Sequence, residues 1–274
     1  MKRYLYLLFL FFLILFLIPT AKAPPPKATP SVGIVEVTDP INLLESSTVT
    51  VWCNATISVS GNWKQNDVLS VNGTIWHSSS SEGAADDNNS HYTNSSCFST
   101  DVETTEVQTN CSFSLQYYSN PNTWTCKLGA FMSKSDTSAD NQTNTTVNTL
   151  LALSIPGTID FGSMTVGQNS TDTTENVSAV ENTGNVLMDI QLSGDAMSCT
   201  TGSIPVSNIK YSAVDNTPYA SMTALSENAT TLGLNVSQRT DGVSTKDVFW
   251  KISIPNTGID GVCSNTMTFT AIAS

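Results

Sequence analysis

Positive charge and histidine are what this chain has least of. Its 274 residues hold 11 Lys and Arg against 23 Asp and Glu, with two histidines, His77 and His91. So acidic a balance repels nucleic-acid phosphates and anionic lipid head groups, and neither is an expected partner. Charged residues of both signs are only 12% of the chain, so its polarity rests on Ser, Thr and Asn, which suit exposed strands and turns. Familiar catalytic motifs are missing: there is no G-x-S-x-G, H-E-x-x-H, Walker A or G-x-G-x-x-G pattern. Both histidines lie in polar, loop-like stretches and read as surface residues, which leaves no base for a Ser or Cys nucleophile. Glu82, Asp86 and Asp87 belong to a polar run from Ser78 to Ser96, which reads as a solvated loop rather than a carboxylate pair for glycoside cleavage. Calcium at Asp86, Asp87 and Asn88, or near Asp136 and Asp140, lacks EF-hand spacing. The expectation is a protein that is not an enzyme and uses no metal and no cofactor.

Long apolar runs are absent except at the start. Lys2 and Arg3 precede an apolar stretch from Tyr4 to Pro19, and Thr20-Ala21-Lys22-Ala23 ends in an Ala-x-Ala pattern. That is the layout of a secretory signal peptide, residues 1–23. The run falls short of the roughly 20 apolar residues that span a bilayer comfortably, so membrane attachment is expected only if this segment stays uncleaved. No cysteine follows it to carry a lipid.

Helical periodicity is also lacking. No segment beyond the leader shows an apolar stripe of period 3.6. What is present is alternation. Val49, Val51, Cys53, Ala55, Ile57 and Val59 alternate with Thr50, Trp52, Asn54, Thr56 and Ser58. The stretches 111–117, 124–130, 186–192, 248–254 and 267–273 repeat the pattern, which marks half-buried strands. Asn72-Gly73, Thr183-Gly184-Asn185, Ser193-Gly194-Asp195 and Asp241-Gly242 read as turns between them. The predicted organisation is a Pro-rich extended segment (24–30), a first β-sandwich domain (31–135), a polar linker (136–149) and a second sandwich (150–274).

Six cysteines in an exported chain point to disulfides, and the absence of a C-x-x-C or Cys/His set points away from zinc. Cys53 and Cys126 both fall on the apolar face of strong strands, Trp124 precedes Cys126 by two residues, and Trp76 lies between the cysteines. This resembles the immunoglobulin arrangement, in which a cross-sheet bridge lies near a buried tryptophan. The resemblance implies Cys53–Cys126, leaving Cys97 to pair locally with Cys111, although four cysteines allow three pairings. Trp124 replaces the tyrosine of that pattern, so an antibody-type corner is not expected. Cys199 and Cys263 remain for the second domain. Bridges of such spans contribute about 3–4.5 kcal/mol each in the loop-entropy picture. Asn-x-Ser/Thr sequons occur at Asn54, Asn72, Asn88, Asn94, Asn110, Asn141, Asn144, Asn169, Asn176, Asn228 and Asn235, the expected glycosylation sites of an exported chain.

The second half carries Val180-Glu181-Asn182-Thr183-Gly184-Asn185-Val186, Trp250-Lys251-Ile252-Ser253-Ile254-Pro255 and a final Thr-rich strand. It resembles the C-terminal β-sandwich of secreted archaeal envelope proteins, and the first half is similar to the Ig-like or PKD-like modules that precede it there. The resemblance implies an extracellular or cell-surface location and supplies no functional residue. The fold class expected is all-β, two tandem Ig-like β-sandwich domains. The function expected is structural or adhesive, with other surface proteins or glycans as partners. Carbohydrate binding on Trp52 or Trp63 is one alternative, since Trp52 alternates away from the core. Self-association is the other, with Val32, Ile34, Val35 and Val37 donating a strand to a neighbour's sheet.

Overall fold

The computed structural model describes residues 27–61, 69–103 and 105–274. The expected signal peptide, Pro24–Pro26 and Trp63 lie outside these residues. Among the described residues the only helical pieces are two three-residue 3-10 turns, Val206–Asn208 and Tyr219–Ser221; the regular structure is otherwise strand.

Nine strands form the first sandwich: β1 (Thr29–Val32), β2 (Glu36–Val37), β3 (Thr48–Ser60), β4 (Leu69–His77), β5 (His91–Asn94), β6 (Phe98–Glu103), β7 (Glu106–Gln116), β8 (Asn122–Met132) and β9 (Thr137–Val147). One sheet runs β1-β3-β7-β6, with β2 also on β3; the other runs β5-β4-β8-β9. All pairings are antiparallel. The alternation of β3 places Val51, Cys53, Ala55 and Ile57 in the core with Phe113 and Leu115 from the neighbouring β7 and Ile75, Trp124 and Leu128 from the facing sheet. Cys53–Cys126 crosses between the sheets, with Cα atoms 6.6 Å apart. Cys97–Cys111 ties the residue before β6 to β7. The buried tryptophan beside the cross-sheet bridge is Trp124, whereas Trp76 is only half-buried.

Two boundaries differ from the sequence expectation. The stretch expected as a linker, 136–149, is mostly strand: β9 pairs with β8 along its whole length, from Asn122↔Val147 to Met132↔Thr137. Its Thr and Asn residues carry no apolar alternation because most of its inner positions lie at the rim, half-exposed. The first sandwich also begins earlier than residue 31. Pro30 pairs with Val59 in β1, an edge strand, where a missing N–H costs no ladder bond. These N-terminal strands also cover the edge of β9: Ile41 N donates to Thr146 O at 2.8 Å, Asn141 Nδ2 to Gly33 O at 2.8 Å and Thr145 Oγ1 to Thr38 O at 2.7 Å. The segment proposed for strand donation is therefore paired at home. Val32 sits opposite Ile57 and Val37 opposite Cys53.

The second sandwich contains β10 (Leu153–Ser154), β11 (Asn176–Asn182), β12 (Met188–Gly194), β13 (Met197–Thr201), β14 (Ser203–Ile204), β15 (Ile209–Ser212), β16 (Thr223–Ala224), β17 (Thr230–Thr231), β18 (Thr245–Ile252), β19 (Asp260–Ser264) and β20 (Met267–Ala273). The sheet β10-β11-β18-β15-β16 shares one core with the three-stranded sheets β17-β12-β20 and β14-β13-β19. Trp250 is its centre, with Tyr211 and Phe269 rings at 5.7 and 5.8 Å. Cys199 and Cys263 are register partners on β13 and β19 and form the third disulfide.

A polar junction joins the sandwiches. Asn185 is fully buried. Its Nδ2 donates to Ser119 O at 3.0 Å and Asn148 O at 3.1 Å, and its Oδ1 accepts from Leu150 N at 2.7 Å. Thr183 Oγ1 donates to Glu45 Oε1, Asn89 Nδ2 to Arg239 O, and Gln238 Nε2 to Asn120 Oδ1. The Arg239 guanidinium lies 5.0 Å from the centre of the Tyr118 ring. The Asn182–Val186 turn noted in the sequence is thus the docking element between the two halves.

Candidate functional site

Alternation along β3 sends Trp52 and Asn54 outward from a face whose inner residues are buried. Register extends that outer face across the sheet. Trp52 pairs with Ser112, and Asn54 pairs with Glu36 on one side and Asn110 on the other; Asn110 pairs with Phe98 on β6. Directly paired residues point to the same side of a sheet, so Trp52 and Phe98 share one surface. They are 47% and 65% exposed. They stand two strands apart and two residues out of register, about 12 Å at the usual strand spacing and rise. Phe98 carried no signal in the sequence, because a single phenylalanine after Cys97 acquires meaning only from its register with Asn110.

The outer face of the second sheet holds a polar pit of about 210 Å³. Its floor is Gly129, flanked along β8 by Lys127 and the half-exposed Phe131, with Asn72, Glu82 and Asp140 around it. Lys127 Nζ lies 2.9 Å from Glu82 and 3.2 Å from Asp140. The hydrogen bond from Lys127 to Glu82 outweighs desolvation and raises the lysine above its ordinary pKa. Asn72 Oδ1 would sit 2.6 Å from a Cβ at position 129, so the glycine is what keeps the pit open. A larger groove of about 640 Å³ lies in the second sandwich between the Ile159–Val166 segment and β19. Its walls mix apolar side chains, including Phe161, Met164, Ile254 and Val262, with polar groups such as Asp160, Ser163 and Asp260.

The acidic run is the exposed loop expected as far as Asn88, with Glu82, Asp86 and Asp87 all exposed, but Ser90 to Tyr92 are buried and His91–Asn94 form β5. His91 is 1% exposed, pairs with Trp76 in β5, and places Nδ1 2.8 Å from Asp86 Oδ1 and Nε2 2.9 Å from Glu82 O. Acceptors from the loop replace water around the ring, so a polar neighbourhood in sequence coexists with burial in space. Asp87 accepts from the backbone of Asn89, Ser90 and His91 and from Ser90 Oγ. Its oxygens are committed to folding the loop, the opposite of an open cation site. His77, also expected as a surface residue, is partly buried; Nδ1 accepts from Ser79 N, and Nε2 faces Pro121 O at 3.0 Å. Among the described residues no group of three or more His, Cys, Asp or Glu is arranged to hold a metal ion.

None of the eleven sequon asparagines is buried. They differ in how their amides are used. Asn94, Asn141 and Asn176 donate Nδ2 to Ser112 O, Gly33 O and Asp160 O, respectively. Asn72, Asn88, Asn144, Asn169, Asn228 and Asn235 are exposed, Asn235 donating Nδ2 to Gly233 O and Asn144 accepting from Thr125 Oγ1, while Asn54 and Asn110 are partly exposed neighbours on the Trp52 face.

No protein family and no curated protein matches the chain. Among solved structures, it is similar to a chain of a chaperone–tip adhesin complex of CFA/I fimbriae biogenesis, at 12% identity over 90% of this chain and 84% of that one, with a TM-score of 0.33. It is also similar to the C-terminal domain of the Streptococcus agalactiae AgI/II polypeptide BspA, at 9% identity over 89% and 96% of the chains and a TM-score of 0.24. A third likeness is to Escherichia coli alpha-2-macroglobulin, at 9% identity over 92% of this chain and 22% of the other, with a TM-score of 0.20. Scores this low establish no common fold, and no archaeal or PKD-like protein is among these three.

Proposed function

We propose that this is a non-catalytic, extracellular adhesion or assembly protein whose contact surface is the outer face of the β1-β3-β7-β6 sheet. The observation that carries this reading is the exposure of Trp52 and Phe98 together on that face. Aromatic side chains bury large areas when a partner covers them, and tryptophan is among the residues enriched at binding hot spots. Three disulfides suit an oxidising compartment. The partner is a surface protein or a glycan; nucleic acid does not fit the charge. The test is binding of the purified protein to intact cells and to a glycan array, with Trp52→Ala and Phe98→Ala compared against wild type at equal thermal stability. Binding should fall at least tenfold in each variant. Undiminished binding in both removes this face from the proposal.

A glycan ligand is the second reading, favoured by the pit at Gly129. It sets the ring of Phe131 beside Lys127, Asp140 and Asn72, groups that match the hydroxyls and the apolar face of a sugar. Loss of array binding in Lys127→Ala, with no effect of Trp52→Ala, would move the site to this pit.

A further inference from the structure

Lys251 follows Trp250 on β18 and so points away from the core, yet it is 1% exposed. Two loops cover it, one running from Ser170 to Glu175 and one through Asp215–Thr217. Its Nζ donates to Thr217 O at 2.8 Å, touches Asp172 Oδ1, and lies 3.5 Å from Glu175 Oε2. Glu175 Oε2 is buried and makes no hydrogen bond. Surface ion pairs form at the tips of mobile side chains. Here the ammonium and the Glu175 carboxyl are instead shielded beneath the loops, and the Asp172 carboxylate reaches the same nitrogen from an exposed position on the loop.

We infer that Lys251 and Asp172 are the two halves of an intramolecular amide cross-link, with Glu175 as the proton relay. The ion pair contains every atom of the product. A proton moves from Nζ to an Asp172 oxygen, and the neutral amine adds to Cγ. Glu175 carries a second proton from nitrogen to the departing oxygen, the C–O bond breaks and one water is released. The N–C bond replaces the C–O bond, no oxidant or external donor takes part, and the two opposite charges vanish together.

Three features favour this outcome over a lasting ion pair. The fold holds the reacting groups in contact, and effective molarities for well-oriented groups reach about 10⁵–10⁸ M. Burial, followed by the neighbouring Asp215 carboxyl, pushes Glu175 above the usual carboxylate range, the direction that suits a carboxyl which takes up a proton and passes it on. The resting lysine is an ammonium, because its carboxylate partners outweigh desolvation, so the proton transfer from Nζ to Asp172 must precede attack by the amine. Asp172 itself is 58% exposed, which gives the released water a way out. The product would join loop and strand across 79 residues of sequence.

The experiment is intact-mass spectrometry of the purified protein after reduction and enzymatic removal of any glycans, followed by peptide mapping. The expected mass is one water below that of the wild-type sequence, with a branched peptide joining the segments around Asp172 and Lys251. Asp172→Ala and Lys251→Arg should each show their full sequence mass, and Glu175→Ala should remain largely uncross-linked. Wild-type protein at its full mass, with linear peptides only, overturns the proposal. A mass deficit that persists in Asp172→Ala also overturns it. Neither readout depends on the adhesive role, so the two proposals stand or fall separately.

Discussion

Gly73 on β4 faces Cys111 on β7 so closely that a Cβ on the glycine would lie 2.8 Å from Cys111 Sγ and 3.0 Å from Phe113 Cζ. Asn72-Gly73 reads as a turn in the sequence, yet it sits mid-strand, with Gly73 between register partners Leu128 and Asn94. The glycine is there because the Cys97–Cys111 sulfurs fill the volume where a side chain would go.

Gly73→Ala should therefore destabilise the first sandwich by about 1–3 kcal/mol, the usual cost of overpacking a filled core. Gly83→Ala, where nothing lies within 4 Å of the added methyl, should change stability by under ~0.5 kcal/mol, as expected for surface changes. Chemical denaturation of the two variants beside wild type checks the contrast.

Asn185 should govern the coupling of the two sandwiches. Asn185→Leu strands the Ser119 carbonyl and removes the acceptor for Leu150 N, at about 1–3 kcal/mol for each buried group left unpaired. The expected outcome is earlier proteolytic cleavage at residues 148–152 and separate melting of the halves by calorimetry. A single transition at the wild-type temperature would show that the junction is held elsewhere.

Glycans at Asn54 and Asn110 should exclude each other. The two residues are direct cross-strand partners on the outer face, with Cβ atoms about 5 Å apart, too close for two branched sugars. Glycopeptide mass spectrometry of protein from a glycosylating host should find one or the other occupied on a given molecule. The same glycan would crowd Trp52 and Phe98, so Asn54→Gln with Asn110→Gln should raise binding to any ligand of that face.

The Glu82–Asn94 segment should loosen in acid. Burial works against the charges of Asp86 and Asp87, but hydrogen bonds from His91 and Thr93 to the first, and from Ser90, His91 and Asn89 to the second, hold both below the usual carboxylate range. A depressed folded value means the stabilisation is complete above the unfolded pKa, about 3.9, and disappears as pH falls through the folded value. Both side chains face water on one side, so the effect is local. Hydrogen exchange of the amides of Asn89, Ser90 and His91 should accelerate as pH is lowered through this range, after correction for the intrinsic rate, and Asp87→Asn should remove the dependence.

The strands that were legible from the sequence were those with apolar residues at every second position. β3, β7, β8, β12 and β18 all bury those residues. β9 was missed because its stability comes from backbone pairing to β8 and from side-chain bonds to the β1–β2 segment, neither of which leaves an apolar trace. β5 was missed because His91 and Tyr92 are buried inside a run that is otherwise polar. Tyr92 illustrates the difficulty. Its hydroxyl accepts from Gln116 N, lies 2.7 Å from Ser119 Oγ and donates to Asn88 O, and burial pushes its pKa up to about 12. Its hydroxyl thus ties β5 to the end of β7 and to the turn that follows it, while Trp124 Nε1 donates to Asn120 O at 2.7 Å.

By itself the sequence determined the class of the molecule. Alternation of period two admits only strands, and strands with one apolar face must pair into sheets that cover one another. Only the tertiary structure decided which surfaces are left for partners and which groups meet. Phe98 joins Trp52 through register, Asn185 reaches Ser119 across the junction, and Lys251 finds Asp172 and Glu175 beneath two loops. Each of these depends on residues far apart in the chain being brought within contact distance, and a local pattern carries no information about that.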